Sequence, residues 1–104
     1  MRIVSWNLNG IRAAIRKGLD LFIHELDADI WLFQEVRALP EQLPKDWTPP
    51  SDMQVEWHPA EKKGYSGVAT WGRGVFTTIG KGMGCGDDPE DLEGRILVTQ
   101  HNGI

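Results

Sequence analysis

Two apolar, strand-like segments of the chain each lead into side chains that could bind a divalent cation. Residues 3–6 precede Asn7, and residues 30–33 precede Gln34 and Glu35. If the two strands are neighbours in one sheet, Asn7 and Glu35 meet at the edge where open α/β sheets bind ligands. An amide oxygen and a carboxylate suit Mg²⁺, which keeps several waters and takes few protein ligands. The spacing alone favours a plainer interpretation, in which Asn7 caps the following helix and Glu35 is a solvated strand end.

A second candidate for chemistry is the loop at residues 62–67, which reads Lys-Lys-Gly-Tyr-Ser-Gly. Its cations, aromatic hydroxyl and glycines are suited to holding a phosphate backbone, because glycine allows the main chain and its N–H groups to approach closely. Arg12, shortly after Gly10, could also contact a phosphate. The alternatives are an ordinary surface loop and a solvated helix arginine.

Other kinds of site find little support in the sequence. His58 and His101 have no Cys or His partner at metal-ligand spacing, so zinc is not predicted. The alternating glycines of residues 80–86 lack the spacing and the Lys-Ser/Thr of a phosphate-binding P-loop. Cys85, the one cysteine, cannot form an internal disulfide. Together with an N-terminus unlike a signal peptide, this predicts a cytoplasmic protein.

Composition bounds the size and class of the fold. With 104 residues, 40% hydrophobic and 25% charged, the chain is expected to form at most one globular domain. Its net charge of −4 is unlike that of most nucleic-acid-binding domains, which are basic. A cleft that holds a cation nevertheless needs carboxylates, so the net charge does not exclude one.

Hydrophobic periodicity predicts the elements that must position these residues. A strand at 2–6 and a turn at 7–10 precede an apolar helical stripe that Gly18 breaks into two helices. The stripe consists of Ile11, Ile15, Leu19, Phe22 and Leu26. Next come a buried strand at 30–33 and a proline-rich loop at 39–50 that contains at most one helical turn. Further strands are predicted at 54–58, 67–71, 75–79 and 95–100, with hairpin turns at 72–74 and 101–103. This order predicts an α/β or α+β fold rich in sheet.

Four segments of the chain resemble motifs of one enzyme family, in that family's order. They are residues 5–13 (Ser-Trp-Asn-Leu-Asn-Gly-Ile-Arg-Ala), 33–35 (Phe-Gln-Glu), 62–69 (Lys-Lys-Gly-Tyr-Ser-Gly-Val-Ala) and 91–95 (Asp-Leu-Glu-Gly-Arg). The pattern is similar to that of exonuclease III-type abasic-site endonucleases, within the endonuclease/exonuclease/phosphatase superfamily. The resemblance implies a DNase I-like four-layer α/β sandwich. Residues 1–104 would be its N-terminal part, with the C-terminal part absent.

The resemblance also implies roles for individual residues. Glu35 would ligate the catalytic Mg²⁺, for which Mn²⁺ could substitute, and Asn7 would lie in the metal and phosphate site. The residues implied to bind DNA are Asn9, Arg12, Arg37, Lys63, Gly64, Tyr65 and Ser66. Arg37 stands where relatives usually carry Lys, and a planar guanidinium is not equivalent to a point charge, so this departure puts its role in doubt. For Glu93 and Arg95 the sequence leaves two alternatives, a structural ion pair, which is favoured, and support of the site.

The activity implied by the resemblance is Mg²⁺-dependent hydrolysis of the phosphodiester 5′ to abasic sites in double-stranded DNA, with 3′–5′ exonuclease activity as a further possibility. No membrane partner is expected, because no apolar stretch of the sequence approaches the length of a membrane span. The family's other catalytic residues would lie beyond Ile104, so the isolated chain is expected to be inactive without a C-terminal half. Two alternatives remain: a phosphoesterase of the same superfamily with another substrate, and a non-catalytic half of a split protein.

Overall fold

A computed structural model describes residues 1–60, 66–81, 86–87 and 97–101. Two helices, one 3-10 turn and seven strands lie in these ranges. They are β1 Ile3–Asn7, α1 Ile11–Arg16, α2 Leu19–Leu26, β2 Ile30–Gln34, the 3-10 turn Pro40–Gln42, β3 Met53–His58, β4 Val68–Arg73, β5 Thr77–Lys81, β6 Gly86–Asp87 and β7 Leu97–Gln100. The α/β expectation is confirmed. The predicted turn at 101–103 and the motif at 91–95 lie wholly or largely outside the described residues.

Four of the strands form one sheet in the order β1-β2-β4-β3. β1 and β2 are parallel, with Ile3 opposite Ile30 and Asn7 opposite Gln34. β4 runs antiparallel to both β2 and β3. The parallel pair is joined by the two helices, as a crossover between parallel strands requires. The carboxyl ends of β1 and β2 therefore lie side by side.

One face of this sheet carries the core, which is dominated by aromatic side chains. Trp31, Phe33 and Trp71 are at most 1% exposed. Phe33 meets Trp71 edge-on at 4.9 Å between ring centroids, and Trp47 from the proline-rich segment packs on Trp71 at 5.6 Å. Edge-to-face packing of this kind adds to the stabilisation that burial alone provides. Strand positions on this face alternate with positions on the opposite face, as pleating dictates.

The helices cover the aromatic face through a stripe that differs in part from the predicted one. Gly18, at φ 103°, separates α1 from α2 as expected. The residues of α2 that are buried are Leu19 and Ile23, whereas Phe22 and Leu26 are 46% and 40% exposed. The prediction that these last two residues lie in the buried stripe was wrong, because the buried face of α2 is centred on Leu19 and Ile23. Phe22 lies beside that face and meets Trp6 edge-on at 5.4 Å.

A second sheet has the order β6-β5-β7 and contacts the first sheet where β7 approaches β4. The predicted hairpin between β4 and β5 was wrong, since these strands belong to different sheets. The segment between them is tied to β3 instead: the Gln54 side chain donates to the Phe76 carbonyl at 2.9 Å and accepts from the Phe76 N–H at 3.3 Å. The absence of a side chain at Gly72 allows the His101 ring to approach β4 closely, because a Cβ at Gly72 would lie 2.7 Å from that ring.

His101 illustrates how closely the two sheets meet. It is buried, stacks on Phe76 at 4.3 Å and pairs with the Thr99 hydroxyl at 2.9 Å. Burial lowers the pKa of His101 below its ordinary value. This histidine has the environment of a packing residue.

No helix in the described part of the chain has both the length and the apolar character needed to cross a membrane.

Candidate metal and phosphate site

The structure brings Asn7 and Glu35 to one corner of the four-stranded sheet. Asn7 lies opposite Gln34 in the parallel register. Past the strand ends the two segments stay joined, because the Leu8 N–H donates to the Gln34 carbonyl at 2.9 Å and the Gly10 N–H to the Glu35 carbonyl at 2.8 Å. The adjacency that the sequence left conditional on strand order is therefore present.

Asn7 is not the cap of the following helix. Gly10 occupies the N-cap position of α1, and no side chain caps that helix. The Asn7 side-chain oxygen instead accepts the Asn9 N–H at 3.0 Å, which forms a local turn. Asn7 is exposed at the end of β1, and its amide oxygen has a second lone pair free for another partner.

The backbone at this corner is unusually left-handed. Five non-glycine residues in the described part of the chain have positive φ, and four of them lie here: Asn9 at 50°, Glu35 at 48°, Arg37 at 58° and Ser66 at 45°. A left-handed conformation costs an ordinary L-residue about 1–2 kcal/mol. Such strain persists only where surrounding structure enforces it, and it tends to collect at functional sites.

Hydrogen bonds from a third segment enforce this conformation. The Arg37 N–H donates to the Ser66 carbonyl at 2.7 Å, and the Val36 N–H donates to the Gly67 carbonyl at 3.0 Å. Val36 is completely buried between Glu35 and Arg37. The Glu35 and Arg37 side chains are thus carried by a backbone that is fixed on both sides.

Glu35 has one ionic partner among the described residues. The Arg37 Nη2 lies 3.5 Å from the Glu35 Oε1, and the two side chains are 42% and 39% exposed, respectively. An ion pair this long and this accessible is weak. The carboxylate therefore remains open to solvent and to a competing cation.

The other predicted DNA-binding residues divide into three groups. Arg12 is exposed on α1, and Asn9 is exposed beside Asn7. Lys63, Gly64 and Tyr65 lie outside the described residues. Ser66 is buried, and its carbonyl oxygen holds the Arg37 backbone. In the structure Ser66 holds the backbone of Arg37 in place.

Gln34, which the sequence placed at the strand end without a specific role, joins the two strands of the site. Its side-chain amide donates to the Ser5 hydroxyl at 3.0 Å and to the Leu32 carbonyl at 2.9 Å. It thereby ties β1 to β2 directly beneath Asn7 and Glu35. The signal available in the sequence was its place directly before Glu35, at the position that pairs with Asn7 in the parallel register.

The donor set fits a hydrated hard cation better than a fully protein-ligated one. Across residues 1–60, 66–81, 86–87 and 97–101, no three His, Cys, Asp or Glu side chains lie close enough to hold a metal ion together. One accessible carboxylate and one amide oxygen match Mg²⁺, which binds through one or two carboxylates and keeps its waters. Mn²⁺ prefers similar oxygen ligands.

The whole chain also matches known proteins at the level of a family. The match to the Endonuclease/Exonuclease/phosphatase family covers residues 4–99. The chain belongs to this family. It is 35% identical to an exodeoxyribonuclease of Bacillus subtilis (strain 168), over 100% of this chain and 40% of that protein. It is 36% identical to the DNA repair nuclease APEX1 of Danio rerio, over 96% of this chain and 32% of that protein.

Solved structures of family members have the same fold. A 3′-5′ exonuclease (NExo) from Neisseria meningitidis superposes with a TM-score of 0.79 at 22% identity, over 100% of this chain and 39% of that one. The Xenopus laevis APE2 catalytic domain superposes with a TM-score of 0.62 at 36% identity, over 81% and 27%. These matches confirm the predicted family and the DNase I-like fold. The chain spans 40% or less of the length of these relatives.

Proposed function

We propose that this chain supplies the metal-binding part of a Mg²⁺-dependent DNA repair nuclease that cleaves the phosphodiester 5′ to abasic sites and also removes 3′-terminal nucleotides. The observation that carries the proposal is the corner where the end of β1 at Asn7 adjoins Glu35, whose left-handed backbone is held by hydrogen bonds to neighbouring segments. Support comes from relatives that are called an exodeoxyribonuclease, a DNA repair nuclease and apurinic or apyrimidinic site endonucleases.

In this proposal Glu35 and Asn7 would hold the cation, and the arginines would position DNA. A bound Mg²⁺ would supply Lewis acidity, stabilising negative charge on the phosphate during hydrolysis. Arg12 follows Gly10 and Arg37 follows Glu35 by two residues, and a hydrogen bond joins Gly10 to Glu35; both arginines would contact the phosphate backbone. Such contacts fix the register of the duplex without reading its sequence. An abasic nucleotide lacks a stacked base and is therefore easier to draw out of the duplex.

We further propose that hydrolysis requires polypeptide beyond these 104 residues. The chain matches at most 40% of the first relatives' lengths. Catalytic groups act together, and losing several of them removes most of the rate enhancement. The isolated chain is therefore expected to leave an abasic duplex uncut in the presence of Mg²⁺. Rapid incision by the purified chain would contradict this part of the proposal.

A chimera tests the function itself. The aligned N-terminal segment of the Bacillus subtilis exodeoxyribonuclease, 35% identical, is replaced by this chain. We expect Mg²⁺-dependent incision of a duplex that carries one tetrahydrofuran abasic analogue, read on a denaturing gel. Glu35→Gln in the chimera should lower the rate by about 100-fold or more, because it removes a group that supports charge in the transition state.

Glu41→Gln is the matched control for the chimera, since Glu41 is an exposed carboxylate on the 3-10 turn. It should leave the rate unchanged. A folded chimera that is inactive, or one in which Glu35→Gln costs nothing, would overturn the proposal. Cleavage of a soluble phosphate ester without cleavage of DNA would favour the alternative, a phosphoesterase with another substrate.

A further inference from the structure

The loop that carries Glu35 also carries that residue's own competing cation. Arg37 lies two positions later, and its Nη2 approaches the Glu35 Oε1 at 3.5 Å. Both residues have left-handed φ, and the buried Val36 between them points into the core. This local geometry turns the two charged side chains to the same accessible side of the loop.

Only the side chains of this pair are free to rearrange. The backbone carbonyl of Glu35 accepts the Gly10 N–H, that of Val36 accepts the Ile11 N–H at 2.8 Å, and the Arg37 N–H donates to Ser66. The pair can therefore open by side-chain rotation, with the loop in place. Because both side chains are about 40% exposed, the pair is weak enough for a divalent cation to displace it.

We propose that the Glu35–Arg37 ion pair is an exchangeable placeholder. Arg37 neutralises Glu35 until a divalent cation binds, and the released guanidinium then becomes available to a DNA phosphate. The inference rests on the proposed function, because it takes Glu35 as the metal ligand. A guanidinium is suited to both roles, since its planar fork matches a carboxylate and a phosphate equally.

Opening the Glu35–Arg37 ion pair prepares Glu35 for a cation and Arg37 for a phosphate, so binding of either ligand favours binding of the other. A cation that occupies Glu35 removes the attraction that holds Arg37, and a phosphate that engages Arg37 exposes Glu35. Coupling of this kind is reciprocal. Its size is limited by the strength of the pair, which at this exposure corresponds to a factor of up to about five in affinity.

Binding of Mn²⁺ to the 104-residue chain, measured from the free-ion electron paramagnetic resonance signal, tests the cation half without any need for catalysis. Arg37→Gln removes the competitor and should tighten Mn²⁺ binding about two- to fivefold. Arg37→Lys keeps a competing charge and should stay close to the wild type. Arg16→Gln, which removes an exposed arginine of α1, controls for the change in net charge and should have the smaller effect. Circular dichroism verifies that each variant is folded.

The outcomes separate this inference from the proposed function. If the wild type binds Mn²⁺ no better than Glu35→Gln does, the proposed metal site itself fails. If the wild type binds Mn²⁺ but Arg37→Gln binds it equally or more weakly, the site stands and the placeholder is wrong. An equal gain for Arg16→Gln and Arg37→Gln would also overturn the placeholder, because only net charge would then matter.

Duplex DNA binding, measured by fluorescence anisotropy with Ca²⁺ as a non-catalytic cation, tests the release of Arg37. Without cation, the wild type and Arg37→Gln should bind an abasic duplex alike, because Glu35 occupies the guanidinium. With Ca²⁺ the wild type should gain about two- to fivefold more affinity than the variant gains. An equal gain for both proteins would show that Arg37 is not released to the DNA.

Discussion

Asp29 and Glu35 lie at opposite ends of β2, and the fold treats the two carboxylates differently. The Asp29 side chain accepts the Arg2 N–H at 2.8 Å, and its backbone carbonyl accepts the Arg73 N–H at 2.9 Å. It thereby joins the start of β1 and the end of β4 to β2. Glu35 has a single ionic partner at 3.5 Å in the described part of the chain.

The cation at the Asp29 end is fully engaged as well. Arg73 forms ion pairs with Asp27, with Asp29 at 3.4 Å and with Asp52 at 3.4 Å. The hydrogen bond to Asp27, followed by the charges of the three aspartates, raises the pKa of Arg73. The hydrogen bond from the Arg2 N–H, helped by the charge of Arg73, lowers the pKa of Asp29.

The difference teaches how to separate structural from ligand-binding carboxylates in this fold. At the Asp29 end the protein supplies the partners, so little is left for a ligand. At the Glu35 end, a residue with a strained, left-handed backbone presents the carboxylate, which has one weak ion pair. Acidic residues alone would not distinguish the two ends, because the Asp29 end contains more of them.

The largest expected effect comes from the core that both ends share. Trp71→Ala removes a completely buried ring that contacts Phe33 and Trp47. It should lower the free energy of unfolding by about 3–5 kcal/mol, measured by urea denaturation. Val75→Ala, at a side chain that is 87% exposed, should change it by less than about 0.5 kcal/mol. Similar losses for both variants would mean that burial of the Trp71 ring does not set the cost.

Much of this arrangement could be predicted from the sequence, because the period of the apolar residues fixes the strands and the strand ends fix the corner. Asn7 and Glu35 became candidates in this way, and the family resemblance then favoured a metal site over the plainer interpretation of the spacing. The left-handed backbone could not be predicted, because Glu35, Arg37 and Ser66 are not residue types that favour positive φ. Their conformation is imposed by hydrogen bonds between segments about 30 residues apart. The separation of β4 and β5 into two sheets was missed for a similar reason, since the segment between them is hydrogen-bonded through Phe76 to Gln54, 22 residues earlier in the chain.

An intermediate effect is expected from relieving the strain at Glu35. Glycine adopts φ near 48° without the cost of about 1–2 kcal/mol that alanine pays there. Glycine also has more conformational freedom in the unfolded chain, which lowers its advantage over alanine by roughly 0.5–1 kcal/mol. Glu35→Gly should therefore be more stable than Glu35→Ala by about 0.5–1 kcal/mol in thermal or urea denaturation, while both variants lose Mn²⁺ binding.

The same two substitutions at Asp29 should give the opposite order. Asp29 is not among the residues with positive φ, so glycine relieves nothing and only adds freedom to the unfolded chain. Asp29→Gly is therefore expected to unfold at a lower temperature than Asp29→Ala. If glycine were the better replacement at both ends, the strain would not be a particular property of the candidate site.

The smallest expected effect is the pH dependence contributed by Asp29, whose partners lie at the surface where water screens them. Because its folded-state pKa is below the ordinary value of 3.8, the unfolded chain binds the proton more readily. Its stabilising contribution is therefore complete above that value and is lost as the pH falls through the folded-state pKa.

Asp29→Asn keeps an oxygen acceptor for the Arg2 N–H but cannot titrate. The stability gap between wild type and Asp29→Asn should be constant from pH 7 to pH 5 and shrink below about pH 4. A gap for Asp29 that stays flat or widens with acid would mean that this carboxylate is as loosely held as Glu35.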